Sequence, residues 1–154
     1  MNMSGTETRP EAAAPTGLEQ IRAIFEGATG YAGIVKTLDF RPTEFEEGRV
    51  VFEGSPDDRV YNPIGTVHGG YAATLLDSAI GCAVHTKLSA RQGYTTLELK
   101  IAYHRALTRD SGPVRAEGTV LSFGRRAAFA EGRLVDAQGR LCASATSTLL
   151  VFDR

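Results

Sequence analysis

Asn62-Pro63-Ile64-Gly65-Thr66-Val67-His68-Gly69-Gly70-Tyr71-Ala72-Ala73-Thr74-Leu75-Leu76-Asp77 opens the one long helix that the sequence predicts, from Gly69 to about Thr86. Tyr71, Ala72, Ala73, Leu75, Leu76, Ala79, Ile80, Cys82, Ala83 and Val84 leave that helix apolar nearly all round, whereas a helix resting on a core shows a single apolar stripe. It must be covered on several sides. From Tyr94 onward the chain reads entirely as β structure. Leu97, Leu99, Ile101 and Tyr103 alternate with Thr96, Glu98, Lys100 and Ala102, the period of a half-buried strand. Pro113 to Ser122 and Ala127 to Val135 are two more strands, separated by Phe123-Gly124-Arg125-Arg126. After the turn Asp136-Ala137-Gln138-Gly139, residues Leu141, Ala143, Ala145, Leu149 and Val151 keep one face apolar. The connections are too short for parallel crossovers, so the sheet is antiparallel. A single sheet covers such a helix only by curling around it, or with a partner subunit over what remains. The fold class is therefore α+β, a curled antiparallel sheet wrapped around one long central helix.

Upstream, Leu18, Ile21, Ile24 and Phe25 recur at helical spacing and predict a short amphipathic helix ended by Gly27 and Gly30. Two strand-like runs come next, Gly33 to Phe40 and Arg49 to Glu53, joined as a hairpin across Arg41-Pro42 and the acidic Glu44 to Gly48 connection. A loop rich in Pro, Gly and Asp, Gly54 to Gly65, leads into the long helix. Residues 1–16 lack apolar periodicity and read as a flexible N-terminal tail, which leaves 17–154 as one domain without internal repeats.

With 154 residues, 42% apolar and 23% charged, the chain has the makeup of a globular domain that buries a core without disulfide or metal staples. Its longest apolar stretch, Tyr71 to Val84, is broken by Thr74, Asp77 and Ser78 and is shorter than the roughly 20 residues of a membrane crossing. Met1 to Thr16 lacks the apolar core of a secretory signal, so a cytoplasmic location is expected, and Cys82 and Cys142 fit it. A net charge of −1 argues against a nucleic-acid binder or a polybasic membrane module. The charge is uneven. Residues 1–100 hold 9 basic and 13 acidic side chains and residues 101–154 hold 8 and 5, so the C-terminal third is the basic part. Arginine supplies 14 of the 17 basic residues, which either suits planar recognition of phosphate or reflects arginine-rich codon usage.

Two glycines at a helix start leave backbone N–H groups uncovered at the positive end of the helix dipole. Gly69 and Gly70 thus mark a place for an anion, or for a carbonyl oxygen becoming one; the competing reading is that they merely allow close packing. The segment is neither a P-loop nor a dinucleotide fingerprint, because no Lys-Ser/Thr comes after the glycines and their spacing differs. Asp77 is a carboxylate two turns into an apolar helix, where burial is costly without a partner or a chemical role. General acid or base chemistry would supply the role, and a hydrogen bond to a neighbouring loop would supply the partner. His68 stands just ahead of the helix. His85 and His104 have no companions at metal-ligand spacing and read as structural, so no metal site is expected. Cys82 lacks an activating base and reads as core. Tyr71, Leu75 and Tyr94 line an aryl pocket or belong to the core, and composition does not separate the two.

Asn62, Gly65, His68-Gly69-Gly70 and Leu76-Asp77, followed by Tyr94-Thr95-Thr96-Leu97-Glu98-Leu99-Lys100 and closing with Gly139-Arg140-Leu141-Cys142-Ala143, resemble the hotdog-fold acyl-CoA thioesterases of the phenylacetate-pathway (PaaI-like) branch, over about residues 18–152. The resemblance implies hydrolysis of an acyl- or aryl-CoA thioester, with CoA as part of the substrate and no bound cofactor. It also implies a homodimer or a dimer-of-dimers tetramer with shared active sites. Carried over by position, Asp77 is the base or nucleophile, the Gly69 N–H the oxyanion donor, and Asn62 and His68 are supporting polar groups. Thr96, adjoining Thr95, takes the place of the hydroxyl that holds the attacking water. Gly70 joins the substrate-binding set, and Arg125 and Arg126 match basic positions that contact CoA phosphates, unless they form only a solvated turn. Two other functions use this fold. One is a non-catalytic acyl-CoA binding or sensing module, which gives no reason to bury Asp77; the other is an enoyl-CoA hydratase, which needs an additional His/Asp pair that the sequence does not offer. Gly69 and Asp77 lie about 12 Å apart along one helix axis, too far to serve one carbonyl, so the two groups of a site are expected to come from two subunits.

Overall fold

A computed structural model of the chain describes residues 13–27 and 33–154. In order, the elements are α1 (Gly17–Glu26), α2 (Ile34–Thr37), β1 (Phe40–Glu46), β2 (Arg49–Gly54), α3 (Gly69–His85), β3 (Gln92–Tyr103), β4 (Val114–Phe123), β5 (Ala127–Val135) and β6 (Leu141–Asp153), with 3-10 turns at Asp58–Val60 and Arg109–Ser111. Every strand pairing is antiparallel, in the order β1-β2-β4-β5-β6-β3. The sheet curls around α3, as its all-round apolarity requires: Leu75, Leu76, Ala79, Ile80, Ala83 and Val84 are enclosed in one core with Val50, Phe52, Ala116, Leu134 and Leu149 of the strands. β4 crosses the helix so closely at Gly118 that a Cβ there would lie 2.3 Å from the Ala79 carbonyl carbon. Only glycine permits that approach.

α1 closes the far end of the barrel-like core. Thr16 and Glu19 form a reciprocal capping box, and the Gly17 N–H donates to the Leu88 carbonyl at 2.9 Å just past α3. His85, in the last turn of α3, lies with Nε2 3.3 Å from Gln20 Oε1 and its ring edge-on to Tyr94. Burial first, and the Arg154 charge second, lower its pKa below the ordinary 6.5. Between the two values the unfolded chain holds a proton that the folded chain refuses. The stability from this site is therefore fully present above the unfolded value and is lost as pH falls through the folded one. Melting curves from about pH 8 to about pH 5 should show Tm declining in the acid part of the range, and His85→Gln should decline less steeply. Parallel curves would remove His85 as the cause.

Several sequence expectations change. Gly33 to Phe40 is not a strand: Gly33 turns with φ of 77° and Ile34–Thr37 coil into one helical turn. The strand begins at Phe40 and passes through Arg41-Pro42 to Glu46, residues expected from the sequence to form the connection. Pro42 is tolerated because β1 is an edge strand and its register shifts between Pro42 and Glu44. In β3 a bulge between Thr96 and Glu98 breaks the simple alternation. The inserted residue swaps faces. Leu97 turns outward at 59% exposure, and Thr96 joins Tyr94, Leu99, Ile101 and Tyr103 on the side facing α3. Asp77 is half-buried rather than buried, because Ala73, Thr74, Asp77 and Ser78 form the one strip of α3 that the sheet leaves partly open. Residues 1–12 of the expected tail, and Gly30, lie outside the described residues, while Thr16 belongs to the cap of α1. No described helix is long and apolar enough to cross a membrane.

Candidate active site

The loop before α3 is closed by Asn62. Its Oδ1 accepts from the N–H groups of Ile64 (3.1 Å) and Thr66 (3.3 Å), and its Nδ2 donates to Thr66 Oγ1 at 2.9 Å. The chain is then pinned at both sides of the helix entry, Val67 N–H to the Leu107 carbonyl (2.9 Å) and His68 N–H to the Val60 carbonyl (2.8 Å). His68 caps the helix by accepting the Gly70 N–H at Nδ1, 2.8 Å away. The Gly70 N–H is thereby spent inside the cap. The Gly69 N–H has no acceptor among the described residues. It borders a cavity of about 350 Å³ lined also by Asn62, His68, Ala72, Tyr103 and Arg105. A free donor at a helix start beside a cavity has the chemistry of an oxyanion site.

Asp77 sits two turns further along. Thr96 Oγ1 donates to Asp77 Oδ1 at 3.0 Å, which leaves Oδ2 without a partner among the described residues. Thr95 points away and is exposed. Of the two threonines, Thr96 is thus the one whose hydroxyl meets the carboxylate, and it binds the carboxylate itself. Beside it, burial and then the Asp77 charge push the Cys82 thiol up to about 12, so it stays protonated and inert as a nucleophile. Tyr71 and Leu75 belong to the core, at 3% and 0% exposure. Tyr94 is half-buried against Gly81, one turn beyond Asp77, where a Cβ would meet its hydroxyl at 3.0 Å.

Within one chain the two groups are held apart. The carboxylate is fastened to Thr96, whereas the Gly69 carbonyl accepts from the Tyr103 hydroxyl at 2.9 Å. The anchors are seven positions apart on β3, and the two groups themselves are separated by eight helical residues, about 12 Å along α3. Arg125 and Arg126 lie at the Thr96 end: Ala127 and Thr95 both pair with Leu150, which puts the arginine turn about 10 Å from Thr95 across two strand spacings. Both arginines are exposed, and neither guanidinium has a hydrogen-bond or ion-pair partner among the described residues, although the Arg126 carbonyl accepts from the Val151 N–H at 3.0 Å. His104, expected to be structural, is exposed at the cavity rim with Nε2 2.8 Å from Ser144 Oγ. Among the described residues, no three His, Cys, Asp or Glu side chains converge as a metal site would need. Sequence reasoning missed Tyr103 and Arg105 as neighbours of Gly69. Tyr103 is 34 positions away in the chain, and its place in an alternating run signalled only a strand face.

A curled antiparallel sheet wrapped around one helix is the hotdog fold. Residues 64–143 match the model of the Thioesterase superfamily. The proofreading thioesterase EntH of Klebsiella pneumoniae is 32% identical over 100 residues, covering 65% of this chain and 72% of that protein. The PaaI protein of the E. coli phenylacetic acid degradation operon superposes with a TM-score of 0.75 at 18% identity, over 88% of this chain and 93% of that one. A Streptococcus mutans protein solved with acetyl-CoA bound superposes with a TM-score of 0.67 at 25% identity, over 75% of this chain and 90% of that one. The chain belongs to the thioesterase superfamily and is a hotdog-fold thioester hydrolase.

Proposed function

We propose that this enzyme hydrolyses an acyl- or aryl-CoA thioester to the free acid and CoA, in a dimer or dimer of dimers whose sites are each built by two subunits. The observation that carries the reading is the Thr96–Asp77 hydrogen bond, which orients a half-buried carboxylate and leaves its second oxygen open. As general base, Asp77 takes a proton from water as the water oxygen attacks the thioester carbonyl. The Gly69 N–H of the second subunit stabilises the oxyanion, and collapse expels the CoA thiolate, which recovers the proton from Asp77. As nucleophile, Asp77 displaces the thiolate first and water then splits the mixed anhydride. Asn62 and His68 shape the donor's loop in either case. Edge chemistry supports the pairing. The β1 edge carries Pro42, a bulge and acidic Glu44 and Glu46, which oppose strand addition, whereas β3 ends the sheet with twelve residues and an exposed Leu97.

CoA recognition is assigned to Arg125 and Arg126, in line with the acetyl-CoA bound to the Streptococcus mutans neighbour. Free-thiol release should be measured on a panel of acyl-CoAs and on N-acetylcysteamine thioesters, which lack the nucleotide. Replacing both arginines with Ala should raise KM for acyl-CoA about tenfold, with a smaller penalty at high salt, and leave the truncated thioesters unchanged. Equal effects on both substrate types would refute the phosphate role. Failure of the wild-type enzyme to release thiol from any CoA thioester would refute the substrate class.

A further inference from the structure

We infer that Tyr103 is a positioning residue for the oxyanion donor, acting through the Gly69–Gly70 peptide and His68; the inference rests on the role proposed for Gly69. Tyr103 is 56% exposed, so burial does not oblige its hydroxyl to find a protein partner, and water would satisfy it. It nevertheless donates to the Gly69 carbonyl at 2.9 Å. The same peptide unit carries the Gly70 N–H, which donates to His68 Nδ1 at 2.8 Å. The three groups form one chain: Tyr103 O–H to the carbonyl oxygen, and the amide N–H of that peptide to the imidazole. A hydrogen bond to a peptide oxygen polarises the unit and strengthens donation by its N–H. Since Nδ1 must accept, the neutral imidazole carries its proton on Nε2.

The hydroxyl therefore helps to hold the plane of the Gly69–Gly70 peptide, and the N–H of that peptide selects the tautomer of the histidine that caps the helix. The free Gly69 N–H belongs to the preceding peptide, whose His68 carbonyl accepts from the Tyr71 N–H at 2.9 Å, and it shares the Gly69 Cα with the peptide that Tyr103 holds, so the two peptide planes together set its direction. The ring contributes as well. A Cβ at Gly69 would lie 3.0 Å from both Cζ and the hydroxyl of Tyr103, so the tyrosine rests directly on the glycine Cα. Glycine at 69 is what lets an edge-strand side chain reach a helix carbonyl.

The test uses the full-length enzyme with Tyr103→Phe, which keeps the ring and removes the donor, and Tyr103→Leu, which removes both. Tyr103→Phe should lower kcat about tenfold, less than deleting an oxyanion donor outright, with KM within about twofold and Tm unchanged. Its Gly70 amide should exchange with solvent about tenfold faster, and the ¹⁵N shifts of His68 should move from the single Nε2–H tautomer toward the average of both. Tyr103→Leu should be at least as slow. Wild-type kcat in Tyr103→Phe, or a joint fall of kcat, KM and Tm that marks a packing defect, would overturn the inference. If the wild-type enzyme cleaved no thioester, the proposed function would fail, while Gly70 exchange and the His68 tautomer would still decide the role of Tyr103.

Discussion

Asp77→Asn is expected to lower kcat by about 10²- to 10⁴-fold, the range of a positioned general base or more, while KM for acyl-CoA stays within about twofold. The amide is nearly isosteric and can still accept from Thr96 Oγ1, so the bond that orients residue 77 survives. What it loses is the capacity to take a proton or to attack. Asp77 is assigned to the thioester and the exposed arginine turn at the same end of the sheet to the nucleotide, so removing the acid leaves the nucleotide's partners in place. Steady-state kinetics on a soluble, correctly melting variant checks this, and near-wild-type kcat would remove Asp77 from the chemistry. Thr96→Val, by contrast, should cost less, because it disturbs the aim of the carboxylate and not its existence.

Gly69→Pro should be the second severe lesion, with kcat down about 10²- to 10³-fold, because proline deletes the N–H itself. The site accepts the ring's backbone demands. Residue 69 is the first helical position, where proline is favoured, and His68 at φ −61° and ψ 134° already has the extended conformation required before proline. The steric conflict is with the end of the Tyr103 side chain, and Gly69→Ala imposes the same Cβ while keeping the N–H. The difference between the two variants isolates the donor. Co-expression then tests the shared site. Chains carrying Gly69→Pro and chains carrying Asp77→Asn form mixed dimers with one doubly damaged site and one intact site, so random pairing should restore about a quarter of wild-type activity. Verified mixed dimers without recovery would place both groups in one subunit.

The sequence by itself determined the class of fold and singled out the centre of the candidate site. A helix apolar nearly all round, followed by four strands on short connections, leaves a curled antiparallel sheet as the way to bury it, because backbone pairing and apolar area must be satisfied together. The glycine pair at the helix start and the lone carboxylate at 77 stood out for the same kind of reason: each breaks a local rule that the rest of the helix obeys. Local pattern failed where tertiary placement overrides it. Gly33 to Phe40 has strand-like composition but coils at Ile34–Thr37, and Pro42 sits within a strand because that strand is an edge.

Only the tertiary structure decided which groups meet. A period-two reading puts Thr96 on the polar face of β3 with Leu97 opposite; the bulge between Thr96 and Glu98 exchanges them and brings Thr96 to Asp77. Which of the two glycine N–H groups is free was likewise beyond the sequence, since it depends on His68 turning Nδ1 back onto Gly70. Tyr103 reaches Gly69 across 34 positions of chain because the sheet curls. Hydrophobic periodicity reports one face of one element at a time, and a functional constellation depends on register, caps and long-range approach, which exist only once the elements have packed.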